Sequence, residues 1–295
     1  MRKKSPGQLP PTDELRFDNP LSLQVPLDIL VSSANARKVN RWMRCHVCGA
    51  YFPDGSFFDT GHGILVSSPE LCYLQMAETL SLLDLIKLGF EFCGTYRRDN
   101  DADNDVGFRA ELALTSKSKI AAFLARMPGA RGHKLAVKAL SYVLDNSASP
   151  METVLALMLC LPYRLGGYGF PAPQMNHRVS VTQEAKKASK KHYYLCDLFW
   201  PDAKLDLEYD SNAYHANAIR IAEDSSRRNA LAYMGVSVIT VTGNQIGNDL
   251  EMHRVTQLLS KSLQKRIRCS DRSFFKRRMA LRENLLKTEP YIKSE

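Results

Sequence analysis

The side chains best suited to chemistry fall between His192 and Thr242, where acids recur on segments patterned as strands. Along the stretch LDLEYD, alternation places Asp206, Glu208 and Asp210 on one face and Leu205, Leu207 and Tyr209 on the other. Three neighbouring carboxylates repel one another, so such a face needs a compensating cation or open water. Just upstream, Asp197 stands among Leu195, Leu198, Phe199 and Trp200. A tight Pro201-Asp202 turn would fold the two segments into a hairpin and bring Asp197 beside Glu208. Two carboxylates on paired strands make a candidate site for a hard divalent cation, Mg²⁺ or in its place Mn²⁺. Such ions take one or two carboxylates and complete their shell with water and phosphate oxygens.

The elements that must hold these acids can be read from capping and periodicity. Ser149-Pro150-Met151-Glu152 opens a helix that runs to about residue 161, and its Ser-x-x-Glu spacing is a capping box. Glu152 therefore has two readings, a structural partner of the Ser149 amide or a further site carboxylate. A Gly- and Pro-rich loop over 164–173 leads to a strand near 175–183, then to the basic run Lys186, Lys187, Lys190 and Lys191. After the hairpin, a charged helix near 225 and a β-branched strand near 239 complete the segment, and residues 250–267 have helical periodicity. Asp224 and Arg228 stand four apart on the charged helix, where they can pair across one turn.

The first half reads differently. Residues 1–26 carry five prolines and a basic start, as expected of a mobile arm. Short apolar pieces between turn signals over 27–66 indicate a small β-rich unit. Helices are predicted over 69–79, 81–94, 116–126 and 132–144, with an acid-rich loop at 99–105 that lacks the Gly and Glu of a calcium-binding loop. Cys45-His46-Val47-Cys48 supplies half of a zinc site, but His62 and Cys72 do not complete it at any usual spacing, which favours packed thiols. The expected division is an arm over 1–26, an accessory α+β domain over 27–146, a catalytic domain over 147–268 and a basic tail over 269–295.

Composition restricts the partners. The 295 residues carry a formal net charge of +9, with 44% hydrophobic and 24% charged residues. That balance suits a folded protein with a polyanionic partner, nucleic acid before a membrane surface. The phosphate contacts would come from the Lys186–Lys191 run and from the tail, where Arg266, Arg268, Arg272, Lys276, Arg277, Arg278 and Arg282 face a single acid, Asp271, until Glu283. Seven cysteines, no apolar run of membrane-spanning length and a start without a secretory apolar core imply a reduced, cytoplasmic protein.

Taken together, the order α-β-β-β-α-β over about 147–265 resembles the PD-(D/E)xK nuclease superfamily, and within it the very-short-patch-repair-like branch. The likeness is carried by the Ser-Pro-x-Glu helix opening, Asp-Leu-x-Trp-Pro, Glu-Tyr-Asp-Ser, His215, Asp224 with Arg227 and Arg228, and Gly235 before an apolar strand ending in Val241-Thr242. It implies an α/β, restriction-endonuclease-like core that hydrolyses DNA phosphodiesters with Mg²⁺, in phage defence or DNA repair. By the same likeness Asp197 and Glu208 hold the metal, Glu152 is a helper carboxylate, His215 moves a proton or orients water, and Arg228 joins the site. The motif lysine two residues after Glu208 is replaced by Asp210, so its charge must come from Arg227, Arg228 or Lys204. The alternative class is a catalytically inactive DNA-binding regulator or antitoxin on the same scaffold. Over the first half, Ile64-Leu65-Val66, Ser67-Ser68-Pro69-Glu70 and Cys93-Gly94-Thr95-Tyr96 resemble the region that accompanies such domains in abortive-infection antitoxin relatives, which implies target reading or a protein partner.

Overall fold

Helix starts are set by serine caps. Ser68, Ser81, Ser116 and Ser149 each accept the backbone N–H three residues on, at 3.2–3.3 Å. Pro69 and Pro150 occupy first-turn positions, where their missing N–H costs nothing. In a computed structural model of the chain, the described residues are 26–38, 41–48, 51–60, 64–98, 108–185, 191–210, 218–267 and 272–287. The expected arm (save Pro26), the acidic loop at 99–105, His215 and Lys186, Lys187 and Lys190 lie outside them.

The chain forms two compact units, residues 1–52 and 53–295. In the first, β1 (Leu27–Val31) and β2 (Met43–Val47) pair in parallel. The second holds the expected division at 146/147 within it, and a hydrogen bond from the Thr95 N–H to the Ser147 carbonyl (2.7 Å) ties the two sides of that position together. The β-rich piece expected over 27–66 is divided between the units.

The second unit opens with β3 (Phe57–Asp59) and β4 (Leu65–Ser67), which form an antiparallel pair. They are followed by α1 (Pro69–Met76), α2 (Leu82–Cys93), β5 (Tyr96–Arg98), β6 (Phe108–Ala110), α3 (Lys117–Ala125) and α4 (His133–Leu140). The four helices bury Leu71, Leu85, Ile86, Phe90, Ile120, Phe123 and Ala136 against one another. Next comes α5 (Pro150–Cys160), apolar on every side and buried from Glu152 to Leu159, as befits a helix enclosed all round.

The site-bearing sheet contains β7 (Gln174–Ser180), β8 (Tyr193–Trp200), β9 (Leu205–Asp210) and, after α6 (Ala218–Tyr233), β10 (Ser237–Thr242). Their spatial order is β10-β9-β8-β7, with β10 parallel to β9 and the other pairs antiparallel. The protein is thus of mixed α and β structure with small sheets. Helix α6 buries Ala230 and Leu231 against Tyr194, Cys196 and Phe199 of β8. Strict alternation would put Cys196 and Phe199 on opposite faces, so the pleat slips by one between them, and Asp197 occupies the slip. Opposite it on β7, Asn176 adopts a left-handed φ of 47°, a conformation that asparagine accepts more readily than most side chains.

The chain ends with α7 (Gly243–Gly247), α8 (Asp249–Ser262) and α9 (Arg272–Leu286). Much of the expected basic tail is therefore a packed helix, because Phe274, Leu281 and Leu285 form an apolar stripe that buries. Arg278 and Arg282 are buried with it and both reach Asp249, at 2.5 and 2.8 Å. Arg278 also lies 5.3–5.6 Å from the ring centres of Tyr168, Phe274 and Phe275. These two cations serve the fold, a correction to their expected role as phosphate contacts. Gly166 (φ 90°) lets α9 approach, since a Cβ there would stand 2.4 Å from the Arg277 carbonyl oxygen. Removing the shared carboxylate would leave two buried guanidinium groups unpaired. We expect Asp249→Ala to cost about 3 kcal/mol in urea unfolding, and a loss below about 0.5 kcal/mol would show the pairing to be dispensable.

Candidate active site

Backbone pairing brings the acids of β8 and β9 together. The ladder runs Trp200↔Leu205, Phe199↔Asp206 and Leu198↔Leu207. Beyond it the Tyr209 N–H donates to the Asp197 side chain (Oδ2, 2.9 Å). Asp197 thus takes a place in the hydrogen bonding between the strands as they part, and Glu208 stands immediately before its donor.

The surroundings of Asp197 are short of positive charge. Burial comes first and the nearby Glu152 carboxylate second in pushing its pKa up to about 7, against the lowering effect of the Tyr209 N–H; Glu208 raises it further and Arg227 lowers it. Asp206 is fully enclosed, and neither of its oxygens has a hydrogen bond of good geometry. Burial, and then the neighbouring Glu208 carboxylate, raise the pKa of Asp206 above the ordinary carboxylate range.

Asp206 and Glu208 meet Arg227. Its guanidinium pairs with Glu208, lies 3.7 Å from Asp206 and donates to the Leu195 carbonyl. It also sits 5.8 Å from the Tyr194 ring centre. Of the three cations the sequence left open, Arg227 is the one at the acids. Arg228, its exposed neighbour, points elsewhere, and Lys204 sits in the β8–β9 turn with φ 45° at the other end of β9. Arg228 was expected in the site, and α6 turns the adjacent residue inward instead. Asp224 is exposed, and it forms no ion pair with Arg228 among the described residues.

Glu152 does cap α5, but through the Ala148 N–H (2.9 Å) rather than that of Ser149, and its same oxygen accepts from the Asn176 side chain at 2.6 Å. Burial raises its pKa, opposed by those two donors. Structural partner and site neighbour are therefore one role: Glu152 ties α5 to the strand facing Asp197 and adds a negative field there. Asn176, whose second contact is the Asn146 carbonyl (2.9 Å), gave no signal in the sequence beyond being an asparagine on a predicted strand. Asp210 ends β9 in register with Thr242, half-buried.

Beside Asn176 a groove of about 440 Å³ runs along edge strand β7, lined in part by Asp145, Gln174, His177 and Arg178. His177 stacks on Phe199 at 5.1 Å and Arg178 lies 3.7 Å over the Tyr193 ring. Asn176, which lines the groove, is the residue that joins it to Glu152.

Among the described residues no three His, Cys, Asp or Glu side chains are grouped as a ligand set, and Cys45 and Cys48 are free thiols. The donors at β8 and β9 nonetheless fit a hard ion that needs only two carboxylates, Asp197 and Glu208, both partly accessible. Comparison of the chain with protein-family models, with curated proteins and with solved structures gave no match.

Since the folded pKa of Asp197 lies above the ordinary carboxylate value of about 3.9, its contribution to stability is full below pH 4 and is lost as pH rises through about 7. In metal-free urea titrations Asp197→Asn, which keeps an acceptor for Tyr209, should match the parent near pH 4 and exceed it above pH 7. An equal difference at both pH values would place Asp197 in a more polar setting than its neighbours suggest.

Proposed function

We propose that this chain is a metal-dependent DNA endonuclease of the PD-(D/E)xK type, on a restriction-endonuclease-like core formed by α5, β7, β8, β9, α6 and β10. The observation that carries this reading is that Asp206 and Glu208 share Arg227 while Asp197 beside them is raised by burial and by Glu152, so that carboxylates outnumber the cations reaching them among the described residues. A divalent ion held there would offset the excess of carboxylates and, when bound, would supply the chemistry of polarising a phosphate and acidifying a water.

The chain's own residues divide the remaining work. Asp197 and Glu208 would hold the ion as carboxylates, and Asp197 would give up its proton to do so. The raised pKa of Asp206 eases its repulsion with Glu208. Arg227 supplies the positive charge that Asp210 cannot, at a position from which it can also meet a phosphate oxygen. Glu152 and Asn176 hold β7 and its groove against the acids, and His177 and Arg178 line that groove beside a passing backbone. DNA would further meet the exposed Arg266, Arg272 and Lys276.

One observation favours the alternative of a non-catalytic DNA-binding regulator. Glu208 already has a cationic partner in Arg227, so the scaffold is partly neutralised without a metal. The two readings separate in one experiment on supercoiled plasmid and short duplexes with Mg²⁺ or Mn²⁺. We expect cleavage by the parent, none by Asp197→Ala or Glu208→Ala, and unchanged DNA retention by all three. Retention without cleavage by the parent supports the regulator, and equal cutting by the parent and both variants would sink the site.

A further inference from the structure

The first unit carries a feature that the nuclease reading does not use. A recess of about 470 Å³ opens beside β2, lined by Arg37, Lys38, Arg41, Met43 and Arg44. Among the described residues of the unit, the carboxylate available to Arg37, Arg41 and Arg44 is Asp28. Asp28 is shared between Arg44 at 4.0 Å and His46 at 2.6 Å, so it offsets one charge at most. Arg37, Arg41 and Arg44 are exposed, and three guanidinium groups around one concavity attract an anion. Next to them stands an aromatic surface: Trp42 is 48% exposed and the Arg41 guanidinium lies 4.4 Å from its ring centre.

We propose that this recess binds single-stranded nucleic acid, with Arg37, Arg41 and Arg44 on the phosphates and a base stacked on the platform formed by Trp42 and Arg41. The pairing of charge with a flat exposed ring selects among polyanions. A duplex offers phosphates but keeps its bases stacked inside, out of reach of an indole. An anionic membrane is a broad surface that meets protruding cations, whereas these converge on a hollow. A single strand offers both a phosphate that enters the hollow and an unstacked base with a free face. The site lies wholly within residues 26–45 and is independent of the carboxylates on β8 and β9.

The two tryptophans of the chain make the test direct, because Trp200 is only 4% exposed and donates its indole N–H to the Pro171 carbonyl. Full-length protein in EDTA, which prevents any metal-dependent cutting, is titrated with short fluorescein-labelled oligothymidine, with the same oligonucleotide unlabelled while tryptophan emission is followed, with duplex, and with phosphatidylserine vesicles. The expected result is quenching of the exposed tryptophan by the single strand, abolished in Trp42→Phe. The variant with Arg37→Gln, Arg41→Gln and Arg44→Gln should bind about tenfold more weakly, and its affinity should depend on salt with a slope lower by about 2, at roughly 0.7 per phosphate contact. The inference is overturned if saturating oligonucleotide leaves Trp42 emission unchanged, which needs no variant to observe. It is equally overturned if vesicles or duplex quench Trp42 and the single strand does not. Loss of cleavage in the Asp197 variants leaves this result untouched, so the two readings fail separately.

Discussion

Too many carboxylates for the positive charge available is the condition around which the site-bearing sheet is arranged. Asp197, Asp206 and Glu208 gather where β8 and β9 part, with Glu152 near Asp197, and among the described residues Arg227 is the guanidinium that pairs with Asp206 and Glu208. An interior of low polarity does not tolerate such an excess, so the chain spreads the strain over several devices. Asp206 is raised in pKa by its burial, Glu208 takes Arg227, Glu152 takes the Ala148 amide and Asn176, and Asp197 takes the Tyr209 amide. Each device removes a hydrogen-bonding or charged group from ordinary structural duty. Together they leave Asp197 with a pKa near neutrality, so that a cation binding there would have to displace a proton at or below that pH.

The geometry that permits this is a local departure from regular sheet. A slip in the pleat of β8 at Asp197, opposite the left-handed Asn176 on β7, turns a side chain into the space between strands. Strain of that kind persists only where the surroundings over-determine it. Here the surroundings are α5, fully buried and tied to Asn176 through Glu152, and α6, whose Ala230 and Leu231 pack on the same strand that Arg227 reaches. Helix α9 in turn packs against α5, and Asp249 gathers its Arg278 and Arg282.

The basic composition divides accordingly into cations that hold the protein together and cations that face outward. Arg227, Arg278 and Arg282 belong to the first kind, each committed to a buried or half-buried carboxylate. Arg37, Arg41 and Arg44 belong to the second, around a hollow in the first unit. A net charge of +9 counts both kinds alike, which is why it pointed to a polyanion without saying which residues would meet it.

Much of the element order was legible in the linear chain, because its causes are local. Serine caps, first-turn prolines and the period of the apolar residues fix helix starts and strand faces within a few residues of themselves, and the hairpin that pairs Phe199 with Asp206 follows from one turn. Asp197 and Glu208 could therefore be placed as neighbours from spacing alone. The choice of Arg227 over Arg228 could not, since it depends on how α6 is rotated against β8, a matter of packing between residues some thirty apart. Nor could the double use of Glu152 or the engagement of Asn176, which need a helix and an edge strand brought side by side. The tail likewise read as free charge until Phe274, Leu281 and Leu285 found a surface to cover. What the sequence determined by itself were the short-range preferences of backbone and side chain; which charges would be buried, paired or left to face a ligand was decided only when distant segments removed the water between them.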